Sequence, residues 1–113
     1  MRRGGMVHYW RDDKDGFTWK QSCIFGSGQV KGVSVMQGTY IEPDNNANLE
    51  LVAWVDDRLE SWWCEGRAWR KIGNIADGGV GGAPALLQSN DGTKGNFEVL
   101  VPLATGGIAH YWR

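Results

Sequence analysis

The chain lacks a long apolar run, a helical period and an excess of charge of either sign. No stretch of its 113 residues approaches membrane-spanning length, and the charged start, Met1-Arg2-Arg3-Gly4-Gly5, is followed by no apolar leader segment. Membrane insertion and export by the general route are therefore not expected, which points to the cytoplasm or a non-classical route. Twelve basic and thirteen acidic residues are interspersed for a net charge of −1, so nothing marks a nucleic-acid or polyanion partner. Cys23 and Cys64 have neither metal-ligand spacing nor disulfide-framework density and read as two small, half-buried thiols. There is no Ser-His-Asp ordering, no G-x-S-x-G and no carboxylate pair in contrasting environments, so neither catalysis nor a cofactor or metal is expected. Without a sustained 3.6-residue period, helices are excluded as the main element.

Seventeen glycines and seven tryptophans are what stands out. Glycine at this level supplies many tight turns between short strands, so the fold class is all-β. The length suits a single domain, residues 1–113. Within it, Gly4-Gly5-Met6-Val7-His8-Tyr9-Trp10-Arg11 returns as Gly106-Gly107-Ile108-Ala109-His110-Tyr111-Trp112-Arg113. A weaker third copy lies at Asp57-Arg58-Leu59-Glu60-Ser61-Trp62-Trp63-Cys64. Val33 to Gly38 recurs as Pro84 to Ser89, each with a glutamine (Gln37, Gln88). Asn48-Leu49-Glu50-Leu51-Val52-Ala53 recurs as Asn96-Phe97-Glu98-Val99-Leu100-Val101, and Trp19 matches Trp69. A repeat of roughly 50 residues holding four short strands has the size of a β-propeller blade.

Nine strands result, from Met6–Arg11 and Phe17–Phe25 through to the closing copy of the opening motif. Turns fall at Asp12 to Gly16, at Gly26-Ser27-Gly28, across Glu42 to Ala47, at Asp56-Asp57, at Glu65-Gly66-Arg67 and across Ala76 to Gly82. With the aliphatic, glycine-flanked strand innermost, residues 1–29 supply the third and outer strands of a blade. Residues 30–75 form a complete four-stranded antiparallel blade, and 76–113 three strands of the next. About two blades cannot close a ring, so such a chain must associate with copies of itself or be part of something longer; the expected assembly is a cyclic homo-oligomer, a trimer with six blades or a tetramer with eight. The third strand is encoded twice, at 4–11 and at 106–113, and one copy is surplus to a four-stranded blade.

His8 and His110 share one repeat position with Ser61, a swap that suits a structural or ligand-facing role and not a general base. The acidic turn Asp12-Asp13-Lys14-Asp15-Gly16 fails as a calcium loop at both ends, where Arg11 and Ser22 stand, and reads as a solvated turn. Tryptophan is more telling: Trp10, Trp63 and Trp112 share one position, Trp19 and Trp69 another, Trp62 matches Tyr9 and Tyr111, and Trp54 stands alone. Such rings either fill the wedge between blades or stack on the apolar face of a sugar, with arginine, carboxylate and amide groups holding its hydroxyls.

The segment from Asp57 to Trp69, with its W-x-x-G-x-x-W spacing from Trp63 to Trp69, resembles bacterial and fungal β-propeller lectins. These include the fucose-binding, tectonin-like and Photorhabdus-type propellers. The resemblance implies glycan binding in pockets between blades. Fucose-binding members use an arginine on the second strand and a glutamate on the third. Here the second strand carries Glu50 and Glu98, while Glu60 on the third aligns with Val7 and Ala109, so a fucose site is not implied. The expected stacking platforms are Trp10, Trp63, Trp112, Trp19 and Trp69, and the polar partners Arg11, Arg113, Glu50, Glu98, Gln37 and Gln88. The competing expectation is a protein-interaction or structural propeller that binds no sugar.

Overall fold

Alternating aliphatic and aromatic residues, broken by Gly and Asp turns, give strands and little else. The computed structural model describes residues 4–41, 47–65, 68–90 and 95–113; the turn expected at 42–46 and the Gly66-Arg67 turn lie outside them. Nine strands form in order: β1 (Met6–Asp12), β2 (Thr18–Phe25), β3 (Val30–Ile41), β4 (Ala47–Val55), β5 (Arg58–Glu65), β6 (Ala68–Ala76), β7 (Ala85–Gln88), β8 (Phe97–Pro102) and β9 (Ile108–Trp112). They make three antiparallel sheets, ordered β1-β2, β3-β4-β5-β6 and β7-β8-β9. The fold is all-β, with no helix among the described residues.

The three sheets share one pairing scheme. Glu50 faces Trp63 and Leu51 faces Trp62 across β4 and β5, just as Glu98 faces Trp112 and Val99 faces Tyr111 across β8 and β9. Trp10 opposes Lys20 and Arg11 opposes Trp19 across β1 and β2, as Trp63 opposes Arg70 and Cys64 opposes Trp69 across β5 and β6. Each of those two hairpins also carries a register shift at the same level, between Val7 and Tyr9 and between Ser61 and Trp62. A register slip of one residue would send every side chain to the wrong face, so this agreement means that equivalent residues point in equivalent directions.

The middle sheet is apolar on both faces, which requires a neighbour on each side. Its first face presents Leu51, Ala53, Val55 and Trp62, packed against Met6 and Phe25 of the two-stranded sheet. Its second face presents Val52 and Leu59, packed against Val99, Val101 and Tyr111 of the three-stranded sheet. The two-stranded sheet is tied down where Gly4 and Gly28 form a bridge and the Gly5 amide donates to the Gly28 carbonyl at 3.2 Å. Both glycines are left-handed (φ 109° and 93°), and a Cβ on Gly4 would collide with the Gly28 carbonyl. Only glycine allows that approach.

One buried charge is fully used in this packing. Glu60 on β5, 2% exposed, accepts from Arg58 Nε at 2.7 Å and from Trp62 Nε1 at 2.9 Å, with Lys71 Nζ at 3.4 Å. Burial pushes its carboxyl up, but the Arg58 and Trp62 hydrogen bonds with the Lys71 charge outweigh that and hold it below the usual carboxylate range. Glu60 is thus an internal brace, and not an acid available to a ligand.

Leu59 is fully enclosed between the second and third sheets. Leu59→Ala should cost about 2–5 kcal/mol through lost transfer energy and the cavity left behind, read as a lower urea midpoint at unchanged slope.

Candidate functional site

Two junctions separate the stacked sheets, and their fillings differ. In the first, between β1-β2 and the middle sheet, Phe25 stacks on Trp69 with centroids 5.0 Å apart and planes at 8°, and meets Trp62 edge-on at 5.2 Å. His8 closes the remainder: it lies edge-on to Trp69 and its Nδ1 accepts the indole Nε1–H at 3.2 Å. That wedge is solid.

In the second junction the residues equivalent to His8, Cys23 and Phe25 are Ser61, Gly73 and Ile75. Each replacement removes volume from the same wall. A cleft of about 290 Å³ opens there, lined on one side by Glu50, Ser61, Gly73 and Asn74 and on the other by Phe97, Tyr111, Trp112 and Arg113. A Cβ added at Gly73 would meet nothing within 4 Å, so this glycine opens space and is not demanded by backbone strain. The volume is that of a small-ligand pocket, with mixed aromatic and polar walls.

Glu50 gives the cleft its chemistry. It is 7% exposed, and among the described residues its carboxyl has no hydrogen-bond partner. Burial pushes the pKa of its carboxyl above the usual carboxylate range, and the nearby Arg113 charge offsets only part of that. Its equivalent Glu98, on the outward side of the third sheet, has partners instead: His110 Nε2 lies at 2.8 Å. Hydrogen bonds from Ser89 and His110 hold Glu98 below the usual range. A serine in the histidine position leaves Glu50 without the partner that Glu98 has, so its carboxyl is turned to the cleft, and a carboxyl with a shifted pKa in a cleft is a candidate for function.

The expected site residues separate into four groups. Glu50, Trp112 and Arg113 line the cleft together. Trp69 is consumed by the filled junction, while Trp63, half-buried, stands opposite Glu50 across β4 and β5. Trp10 lies under Lys20 at 5.8 Å, Arg11 pairs with Asp13 at 3.4 Å and covers Phe17, and Trp19 is 69% exposed on the outer face of β2. Gln37 and Gln88 sit on the edge strands β3 and β7, and Glu98 on β8, none of them lining the cleft. The acidic turn closes on itself, with Lys20 bound to both Asp12 (3.2 Å) and Asp15 (3.0 Å), and no metal-ligating cluster exists among the described residues. Sequence reasoning missed Ser61, Gly73, Asn74 and Tyr111 as lining residues. The signal that could have found them is the loss of side-chain volume at equivalent positions.

Compared with protein families, curated proteins and solved structures, the chain has no significant match.

Because the Glu50 carboxyl binds its proton more tightly in the folded state, its contribution favours folding below the usual carboxylate range and is lost as pH rises through the raised value. Glu50→Gln should therefore melt at a higher temperature than the parent at pH 7, with the gain shrinking as pH falls through the raised value and lost by a pH of about 4, as followed by calorimetry at both pH values.

Proposed function

We propose that this protein binds carbohydrate without catalysis, in clefts between stacked β-sheets that are blades of a propeller closed by self-association. The observation that carries the reading is the carboxyl of Glu50: largely buried, unpartnered among the described residues, and set in an open cleft beside Arg113, Asn74 and the ring of Tyr111. A carboxylate and a guanidinium fix ring hydroxyls by charge-assisted bonds, and an aromatic face stacks on the apolar side of a sugar. The cleft volume, about 290 Å³, suits one such ring. Single sites of this size bind weakly, and repetition around a ring supplies avidity. The ring would comprise three or four chains, with β3 and β7 innermost.

The second reading is a scaffold whose exposed apolar residues dock a protein. Val33, Val35, Leu87, Leu100 and Ile108, all at least 46% exposed, favour it. It differs in needing no cleft.

A broad glycan array, followed by tryptophan-fluorescence titration of any hit, separates the two. Gly73→Leu should fill the cleft, keep the fold by circular dichroism and abolish sugar binding. Glu50→Gln should weaken it at least tenfold while raising stability, a pairing of effects expected only of a ligand-facing carboxylate. No binding across the array at millimolar sugar would leave the scaffold reading.

A further inference from the structure

The cleft is built from four strands on one side and three on the other. Its closed side includes β6; its other side ends at β9, whose outer edge pairs with no described strand. The register equivalence says what is missing. The sheet β7-β8-β9 reproduces β3-β4-β5 and lacks the strand corresponding to β6, while β1-β2 reproduces β5-β6. The strand wanted at the edge of β9 is thus the one that β2 represents.

The uncovered faces agree. Val33 (48% exposed) and Val35 (54%) lie on the first face of the middle sheet, beyond the reach of the two-stranded sheet. Leu87 (51%) and Leu100 (46%) lie on the second face of the three-stranded sheet, with nothing over them. Within the molecule a second face packs on a first face twice, through the clusters around Leu51 and Leu59. The open faces continue an interface that already exists in the chain. Their natural occupant is another copy, docked head to tail.

We propose that β2 of a second copy completes the β7-β8-β9 sheet and that Trp19 of that copy closes the cleft. The third-strand slot then has two claimants, β9 and the second copy's β1. Both carry Tyr and Arg toward the cleft and His and Trp away from it, so either one leaves β2 in the same place. By register, Trp19 takes there the position that Trp69 holds in the filled junction. Trp69 is satisfied by the Phe25 ring and by His8 Nδ1. Trp19 faces Ile75 and Ser61 instead, which leave part of the indole face and its N–H for whatever enters. In the sugar reading, on which this role rests, Trp19 is the stacking ring, and each cleft is complete only between two chains.

The test is disulfide capture in a Cys23→Ser/Cys64→Ser background of the full chain. Lys20→Cys with Trp112→Cys places thiols opposite each other across chains if β9 keeps the slot; Glu98→Cys with Trp10→Cys does so if β1 of the second copy takes it. One of the two pairs should give a non-reducing ladder that ends at the closed ring. Neither pair cross-linking, with a multimeric mass by light scattering, overturns this seam but leaves self-association standing. A one-chain mass for folded protein overturns both. Titrated with methyl fucoside, galactoside, mannoside and N-acetylglucosaminide, Trp19→Ala should lose at least tenfold affinity at unchanged mass. Equal affinity overturns the role of Trp19, and a ladder without any glycoside binding overturns the stacking role while upholding the seam.

Discussion

Burial of both faces of the middle sheet is the condition on which the rest of the structure depends. Leu51, Ala53 and Val55 point one way along β4 and Val52 the other, with Leu59 beside it on β5, and all five are buried. A sheet with one wetted face alternates apolar and polar residues; this one does not, so it must be sandwiched. The flanking sheets satisfy it. Each of them, sharing the same pairing scheme, is then left with a half-apolar face of its own toward solvent. Trp19 and Ile24 mark one end of the stack, Ile108 and Trp112 the other, every one of them at least 68% exposed.

On this common frame the two junctions differ only in side-chain volume and polarity. His8, Cys23 and Phe25 seal one; Ser61, Gly73 and Ile75 leave the other open. The same exchange that makes room also removes the histidine that would have answered a glutamate, as His110 answers Glu98. Room and unsatisfied charge therefore arise from one set of replacements. Close packing is what makes this work, because a well-filled interior does not relax to fill a gap of several atoms. The carboxylates on the two faces of the middle sheet show the contrast at short range: Glu60 is braced by Arg58 and Trp62, while Glu50 lies bare in the cleft.

The strands were legible in the sequence because they recur, and recurrence of Gly-Gly-x-x-His-Tyr-Trp-Arg fixed which residues would share a place in a sheet. The environment of each residue was not legible from recurrence. Trp19 and Trp69 occupy one sequence position, yet one is 69% exposed and the other is stacked under Phe25, since only the second has a sheet above it. Glu50 and Glu98 differ for the same reason. Aromatic residues drew attention as candidate platforms, while the cleft was made by the small ones, and absence of volume has no signature in composition. Trp54 adds a residue whose standing apart in the sequence has a structural counterpart: its Nε1 is buried with no partner among the described residues, beneath Lys31 at 5.1 Å from its ring.

The doubled strand has a consequence for how the chain folds. β8 can pair with β9 across the tight turn at Leu103 to Gly107, where Leu103 N donates to Gly107 O at 3.0 Å, or with β1 from the far end of the sequence. Chain-closure entropy scales with the logarithm of loop length, so some eighty intervening residues set against about five favour the local partner by roughly 2–3 kcal/mol. The hairpins β1-β2 and β8-β9 should therefore be the early structures, formed on microsecond timescales and each holding its own copy of the motif. A chain emerging from folding has resolved its ambiguity by proximity alone. That choice is set by the entropy of loop closure, and neither copy is marked by its side chains as the rightful one.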